Sequence, residues 1–197
     1  MEEKDSRNPK KPNLRIILFI PIAAIALYLF VTLQTKNPPF VDNEPPHAQN
    51  GPIAPNFTLQ GLDGRMASLS DYKGKVVLLN IWATWCTYCV AEMPSIDKLN
   101  KMFEDENFEV LAVSIDEEGA KVVENFMKKR NLSFPVLLDP EGQVTRLYRT
   151  TGVVPVSFII RKDGIIDNKI EGAIDWTAPK VIEYFQNLMK EPAGEPM

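Results

Sequence analysis

Residues Val76 to Trp82 (VVLLNIW) form an apolar run interrupted only by Asn80, and the first of two cysteines, Cys86, follows four residues after the run ends. A short, continuous apolar run of this kind reads as a strand buried on both faces, which demands cover on two sides. Cys86 and Cys89 then open a helical pattern that extends to about Phe103 and is interrupted at Pro94. Phe108 to Ile115 is a second buried strand, Ala120 to Arg130 a helix with Val122, Val123, Phe126 and Met127 on its apolar side, and Phe134 to Leu138 a strand. Gln143 to Tyr148 reads as a short helix. Val156 to Ile160 and Ile165 to Ile170 are strands joined at Asp163-Gly164, a hairpin signal, and Pro179 to Met189 is an amphipathic helix. Ahead of the central run, Phe57 to Leu59 and Met66 to Leu69 flank a Gly61–Gly64 turn and read as a small hairpin. Alternation of strands and helices in this order predicts an α/β fold, a mixed β-sheet sandwiched by helices.

The N-terminal third has a different character. Leu14 to Leu33 (LRIILFIPIAAIALYLFVTL) is apolar apart from Arg15. As a helix it would extend about 30 Å, the thickness of a bilayer core. Lys4, Arg7, Lys10, Lys11 and Arg15 lie before or at its start, and only Lys36 follows before Asn56. The positive-inside rule then places residues 1–13 in the cytoplasm, a single transmembrane anchor at 14–33, and the rest of the chain outside. A cleaved signal peptide with its site near Ala24-Ile25-Ala26 is the competing reading, but the apolar run continues well past Ala26. Residues 34–55 carry Pro38, Pro39, Pro45, Pro46, Pro52 and Pro55 and are expected to form an extended linker, in which His47 is a solvated residue. The folded domain is expected over 56–189, and 190–197 as a disordered tail.

The bulk numbers exclude several functions. A net charge of −4, with no interleaving of aromatic and basic residues, leaves no electrostatic footprint for nucleic acid. Two cysteines and one histidine cannot assemble a four-thiolate or a two-cysteine, two-histidine zinc site, so no metal is expected.

The two cysteines stand where a buried strand gives way to a helix. The unpaired N–H groups and partial positive charge of a helix N-terminus stabilise a thiolate, so Cys86 is expected to be the nucleophile. Cys89, one turn further along nearly the same face, is placed to resolve a mixed disulfide, and the pair would cycle through a Cys86–Cys89 disulfide. A purely stapling role is the bland alternative, but closing so short a loop contributes only about 2 kcal/mol by the chain-entropy estimate.

Here the chain resembles the thioredoxin superfamily, and within it the membrane-anchored TlpA/ResA/CcmG-like thiol–disulfide oxidoreductases. The resemblance spans about residues 52–189. It is carried by Leu69-Ser70-Asp71 with Gly74-Lys75, by Trp82-x-x-Trp85-Cys86-x-x-Cys89, and by Glu92-Met93-Pro94. It implies an N-terminal hairpin, a central helix–strand insertion (residues 116–138), and a cis Pro155 facing the dithiol, with Val154 offering its backbone to a substrate chain. It further implies Glu92 as the acid–base group for Cys89, Pro94 as a helix-kinking proline, and Trp82 and Trp85 as walls of the site. Asn80 stands where thioredoxin has a buried acid, so Glu92 is expected to take over proton handling. Thr87-Tyr88 separates the cysteines where relatives often carry proline, and Val90 replaces a frequent basic residue. The implied activity is reduction of extracytoplasmic protein disulfides, apocytochrome c leading among the substrates, by a monomer that needs no cofactor and draws electrons from a membrane thiol reductant.

Three alternatives differ in class. An oxidase or isomerase would use the same dithiol in the opposite direction. A peroxidase would need Pro at 79 and Thr at 83 for a peroxidatic Cys86, where the chain has Leu79 and Ala83. A copper metallochaperone would need wider cysteine spacing and a histidine within the domain, and no histidine follows His47.

Overall fold

A computed structural model of the chain describes residues 51–150 and 152–193. The expected cytoplasmic N-terminus, the transmembrane anchor, most of the linker with His47, and the last four residues of the tail lie outside the described residues. No helix among the described residues is long and apolar enough to cross a membrane.

The central strand forms where the apolar run predicts it. Strands β1 (Thr58–Gly61) and β2 (Met66–Ser68) are followed by a 3-10 turn (Leu69–Tyr72) and by β3 (Val76–Trp82), whose seven residues are all buried. Helix α1 (Thr87–Met102), β4 (Phe108–Ser114), α2 (Ala120–Arg130), β5 (Val136–Leu138), α3 (Gln143–Leu147), β6 (Val156–Ile160), β7 (Ile166–Glu171) and α4 (Pro179–Lys190) complete the order. The strands make one mixed sheet in the order β2-β1-β5-β4-β3-β6-β7. β3 pairs in parallel with β4, from Val76 opposite Phe108 to Trp82 opposite Ser114, and antiparallel with β6, from Val77 opposite Ile160 to Ile81 opposite Val156. The α2–β5 insertion is present. β5 pairs in parallel with β4 and antiparallel with β1, so it joins the N-terminal hairpin to the rest of the sheet.

Alternate residues of β3 serve two different layers. Val77, Leu79 and Ile81 face a core with Phe57, Leu69, Val144 and Tyr148, contributed by the N-terminal segment and α3. On the other face, α2 packs Phe126 on Trp82, at 5.3 Å between ring centroids, and Phe108 of β4 stacks edge-on between Phe103 (5.4 Å) and Phe185 of α4 (5.2 Å). α1 runs through Pro94 instead of breaking there. Proline has no N–H for the bond back to Val90, and the turn is secured instead by Ser95 Oγ, which donates to the Glu92 carbonyl at 2.7 Å.

Two expectations shift in detail. The expected linker end at residue 55 falls inside the folded unit. Ile166 N–H donates to the Pro52 carbonyl, Ala54 N–H donates to Gly164 and Tyr148 Oη donates to Pro55, because the backbone of 52–55 meets polar groups left open by the β6–β7 hairpin and α3. Trp82, expected to wall the site, is instead fully buried beneath α2. Its position at the end of β3, on the helix-covered face, dictates this.

Phe185 is buried against Phe108, Trp176 and Tyr184. Phe185→Ala is expected to cost about 3–5 kcal/mol in a urea unfolding titration; a loss under about 1 kcal/mol would contradict this packing.

Candidate active site

β3 ends at Trp82, and the next three residues turn the chain into α1. The turn is fixed from the neighbouring strand. Because β3 and β4 are parallel and in register, residues 84 and 116 leave the sheet side by side. The buried Asp116 carboxylate accepts from Thr84 N–H (3.0 and 3.1 Å), from Thr84 Oγ1 (2.6 Å) and from Ser114 Oγ (2.7 Å). Cys86 N–H then donates to the Ala83 carbonyl at 3.2 Å, which closes the turn.

Cys86 is the N-cap residue of α1, with extended backbone angles (φ −84°, ψ 108°). Its sulfur is bonded to that of Cys89, with 5.2 Å between the Cα atoms, and it accepts the Cys89 N–H at 3.1 Å. That N–H is one of the donors left open at a helix start. The same interaction, together with the helix dipole, would stabilise a thiolate at Cys86 once the disulfide opens. Cys89 gains less, since it lies inside the first turn and is fully buried, whereas Cys86 keeps 6 % of its surface. The Val154–Pro155 peptide bond is cis. It lies across the disulfide, with the Val154 carbonyl oxygen 3.4 Å from the Cys86 sulfur. Gly152, at φ +77°, starts this loop in a conformation that residues with a Cβ rarely adopt.

Around the sulfur the surface is apolar. Trp85 is 63 % exposed, Tyr88 72 % and Val153 69 %. The structure thus brings Cys86, Cys89, Trp85, Val154 and Pro155 together at one end of the sheet.

Glu92 is 2 % exposed, on the buried side of α1 with Cys89. Its Oε1 accepts from Asn80 Nδ2 at 2.9 Å, and its Oε2 from Trp176 Nε1 at 3.0 Å and from Ile174 N–H at 3.4 Å. Asn80 also donates to Ser157 Oγ at 2.9 Å, the residue opposite it on β6. Burial pushes the Glu92 carboxyl up to about 7, against the opposing pull of the hydrogen bonds from Trp176, Asn80 and Ile174. Asn80, on β3, is thus hydrogen-bonded directly to the Glu92 carboxylate.

Asp116, Ser157 and Trp176 belong to this site and were not singled out by the sequence. Asp116 could be found only with the β3–β4 register in hand. Trp176 is a lone aromatic in the short loop 172–178, without the periodicity that marks a core face.

A disulfide so placed, open to one partner sulfur at a time, performs exchange with other thiols and disulfides. Fold and site together define a thioredoxin-like thiol–disulfide oxidoreductase. Residues 51–169 match the AhpC/TSA family. The thiol–disulfide oxidoreductase ResA of Bacillus thuringiensis subsp. konkukian is 35% identical over 175 residues, covering 88% of this chain and 93% of its own. ResA of Bacillus cereus is 38% identical over 140 residues, covering 70% and 78%. In the crystal structure of a thiol:disulfide interchange protein DsbE from Chlorobium tepidum, the match has a TM-score of 0.60 and 32% identity, over 70% of this chain and 93% of that one. The chain belongs to the AhpC/TSA family and, within it, to the ResA-type thiol–disulfide oxidoreductases.

A carboxyl whose pKa rises from 4.5 when unfolded to about 7 when folded holds its proton longer in the native state. Its contribution to stability is therefore complete below about pH 4.5 and is lost as pH rises through 7, a change of about 3 kcal/mol. The oxidised protein should lose stability between pH 5 and pH 8 in denaturant titrations. Glu92→Gln should flatten that part of the profile; an unchanged slope in the variant would show that Glu92 is not the group titrating.

Proposed function

We propose that the chain is a membrane-anchored reductase of extracytoplasmic protein disulfides. Cys86 is the attacking thiol, Cys89 the resolving thiol and Glu92 the acid–base group. The observation that carries this reading is the asymmetry of the pair: Cys86 caps the helix at the surface beneath Val154, and Cys89 lies buried on the same side of α1 as Glu92.

The cycle begins with the reduced dithiol. The Cys86 thiolate attacks one sulfur of a substrate disulfide, forming a mixed disulfide and releasing the other substrate sulfur as thiolate. The backbone of Val154, next to cis-Pro155, holds the substrate chain against the site, and Trp85 offers an apolar contact beside it. Glu92 removes the proton of Cys89, whose thiolate attacks the Cys86 sulfur and expels the second substrate thiolate. The substrate gains two electrons, the enzyme ends as the Cys86–Cys89 disulfide, and the proton on Glu92 passes to the departing sulfur. A carboxyl titrating near 7 suits this step, since it is divided between its two forms at neutral pH. A membrane dithiol reductant returns two electrons to the enzyme; of its two protons one restores the Cys89 thiol and the other, through solvent, protonates the substrate thiolate released first. No cofactor enters the cycle, and the chain acts as a monomer.

The apolar segment 14–33 with its basic N-terminal flank supports an anchor that leaves the domain outside the cytoplasm. The TlpA/ResA/CcmG-like resemblance supports reduction over oxidation, with the haem-binding cysteines of apocytochrome c as substrate. Leu79 and Ala83, both fully buried, offer no hydroxyl for the peroxidase alternative.

Trapping tests this reading. Cys89→Ala, expressed in the intact chain, should accumulate mixed disulfides through Cys86 with proteins whose cysteines lie outside the cytoplasm. Gel mobility under non-reducing conditions and mass spectrometry of the complexes read the result. An absence of complexes under oxidising conditions, or complexes with cytoplasmic proteins alone, would overturn it.

A further inference from the structure

The loop between β7 and α4 meets α1 at the turn around Glu92. Trp176 Nε1 donates to Glu92 Oε2, Trp176 N–H donates to Ser95 Oγ at 3.2 Å, and Ser95 Oγ donates in turn to the Glu92 carbonyl. Ile174 N–H adds a longer contact to the same carboxylate oxygen. We infer that Trp176 is a positioning residue for the exchange reaction: its indole N–H fixes the Glu92 carboxylate in the orientation from which it serves Cys89. This inference rests on the reading of Glu92 as the group that takes the Cys89 proton.

Three features of the geometry support it. First, Glu92 lies on α1 beside Pro94, where the helix lacks a backbone N–H, so part of the restraint on this turn comes from outside the helix. Second, the indole is fully buried, with Phe185 stacked 6.3 Å behind it, so it has one orientation in which to donate. Third, the contacts to the carboxylate are all donors: Asn80 Nδ2 on one oxygen, Trp176 Nε1 and Ile174 N–H on the other. Donors favour the charged form and oppose the burial that disfavours it. The Ile174 contact, at 3.4 Å, is too long to replace the indole.

Charged side chains near the turn point elsewhere. Asp175 accepts from Thr177 N–H and Oγ1, is exposed, and is paired at a distance with Lys98 of α1. β3 and β6 contribute only the neutral Asn80 and Ser157 to this cluster; the other titratable residues on the buried side of α1 are Cys89 and Asp97, and the Asp97 carboxylate is taken up by Lys101 Nζ and by Ser133 N–H and Oγ.

The test is a double-mutant cycle on the full chain. Trp176→Phe removes the N–H and keeps an aromatic ring. Replacement of Trp176 by benzothienylalanine keeps the bicyclic shape and puts sulfur where the N–H was, which serves if the phenylalanine variant does not fold. In either protein the infrared carboxyl band of Glu92, assigned by its loss in Glu92→Gln, should titrate about one pH unit higher. The rate at which Cys89 resolves a mixed disulfide with a small-molecule thiol should fall about fivefold at pH 7, as the carboxylate fraction falls. In the Glu92→Gln background the Trp176 change should leave that rate unaltered. A folded variant with an unmoved Glu92 band, or equal slowing with and without Glu92, overturns the inference. If Glu92→Gln itself leaves the pH–rate profile unchanged, the acid–base reading of Glu92 fails instead, and the infrared shift still reports whether the indole sets its titration.

Discussion

The parallel pairing of β3 with β4 is the constraint from which the site follows. It places Trp82 opposite Ser114, so that two residues later Thr84 and Asp116 emerge together and lock through Thr84 N–H and Oγ1, which donate to the Asp116 carboxylate that Ser114 Oγ also holds. The lock defines the turn, the turn makes Cys86 the N-cap of α1, and the N-cap position gives its sulfur the open N–H of Cys89, three residues on. β6, on the other side of β3, delivers Pro155 and Val154 to the same end of the sheet. A one-residue slip in either pairing would turn the side chains of β3 to the opposite layers and separate these parts.

Behind the dithiol the fold holds an unfavourable group on purpose. A carboxyl 2 % exposed would be neutral if burial alone decided. Donors from β3 and from the β7–α4 loop restore part of the lost solvation and bring it back to a titration near neutrality. Neither effect alone gives that value: unopposed burial would keep the carboxyl protonated, and full solvation would leave an ordinary carboxylate. The cost in stability at neutral pH is of the kind that functional sites carry.

Much of this was legible in the residues. The bounds of β3, α2 and β6 are those that the apolar runs and the helical periodicity of the sequence predict. Cys86 and Cys89 were legible from a strand-to-helix junction as well as a resemblance, Pro155 and Glu92 from the resemblance alone. What was not legible depends on tertiary register. Asp116 is one acidic residue among Asp116, Glu117 and Glu118, and only its place beside Thr84 sets it apart. Trp176 needs the path of the β7–α4 loop over α1. Trp82 could be read as site or core, and its packing under Phe126 decides for core. The prolines at 52 and 55 read as linker because composition does not reveal that the backbone around them hydrogen-bonds to the β6–β7 hairpin and to Tyr148.

The central claim is that the two thiols are unequal, with Cys86 the accessible nucleophile. Alkylation of the reduced protein with iodoacetamide across a range of pH, with the label located by peptide mass mapping, measures this directly. The account predicts label on Cys86 well before Cys89, with a rate midpoint below the value of about 8.5 for a free cysteine. Equal labelling of the two cysteines, faster labelling of Cys89, or a Cys86 midpoint at or above that of a free thiol would contradict it.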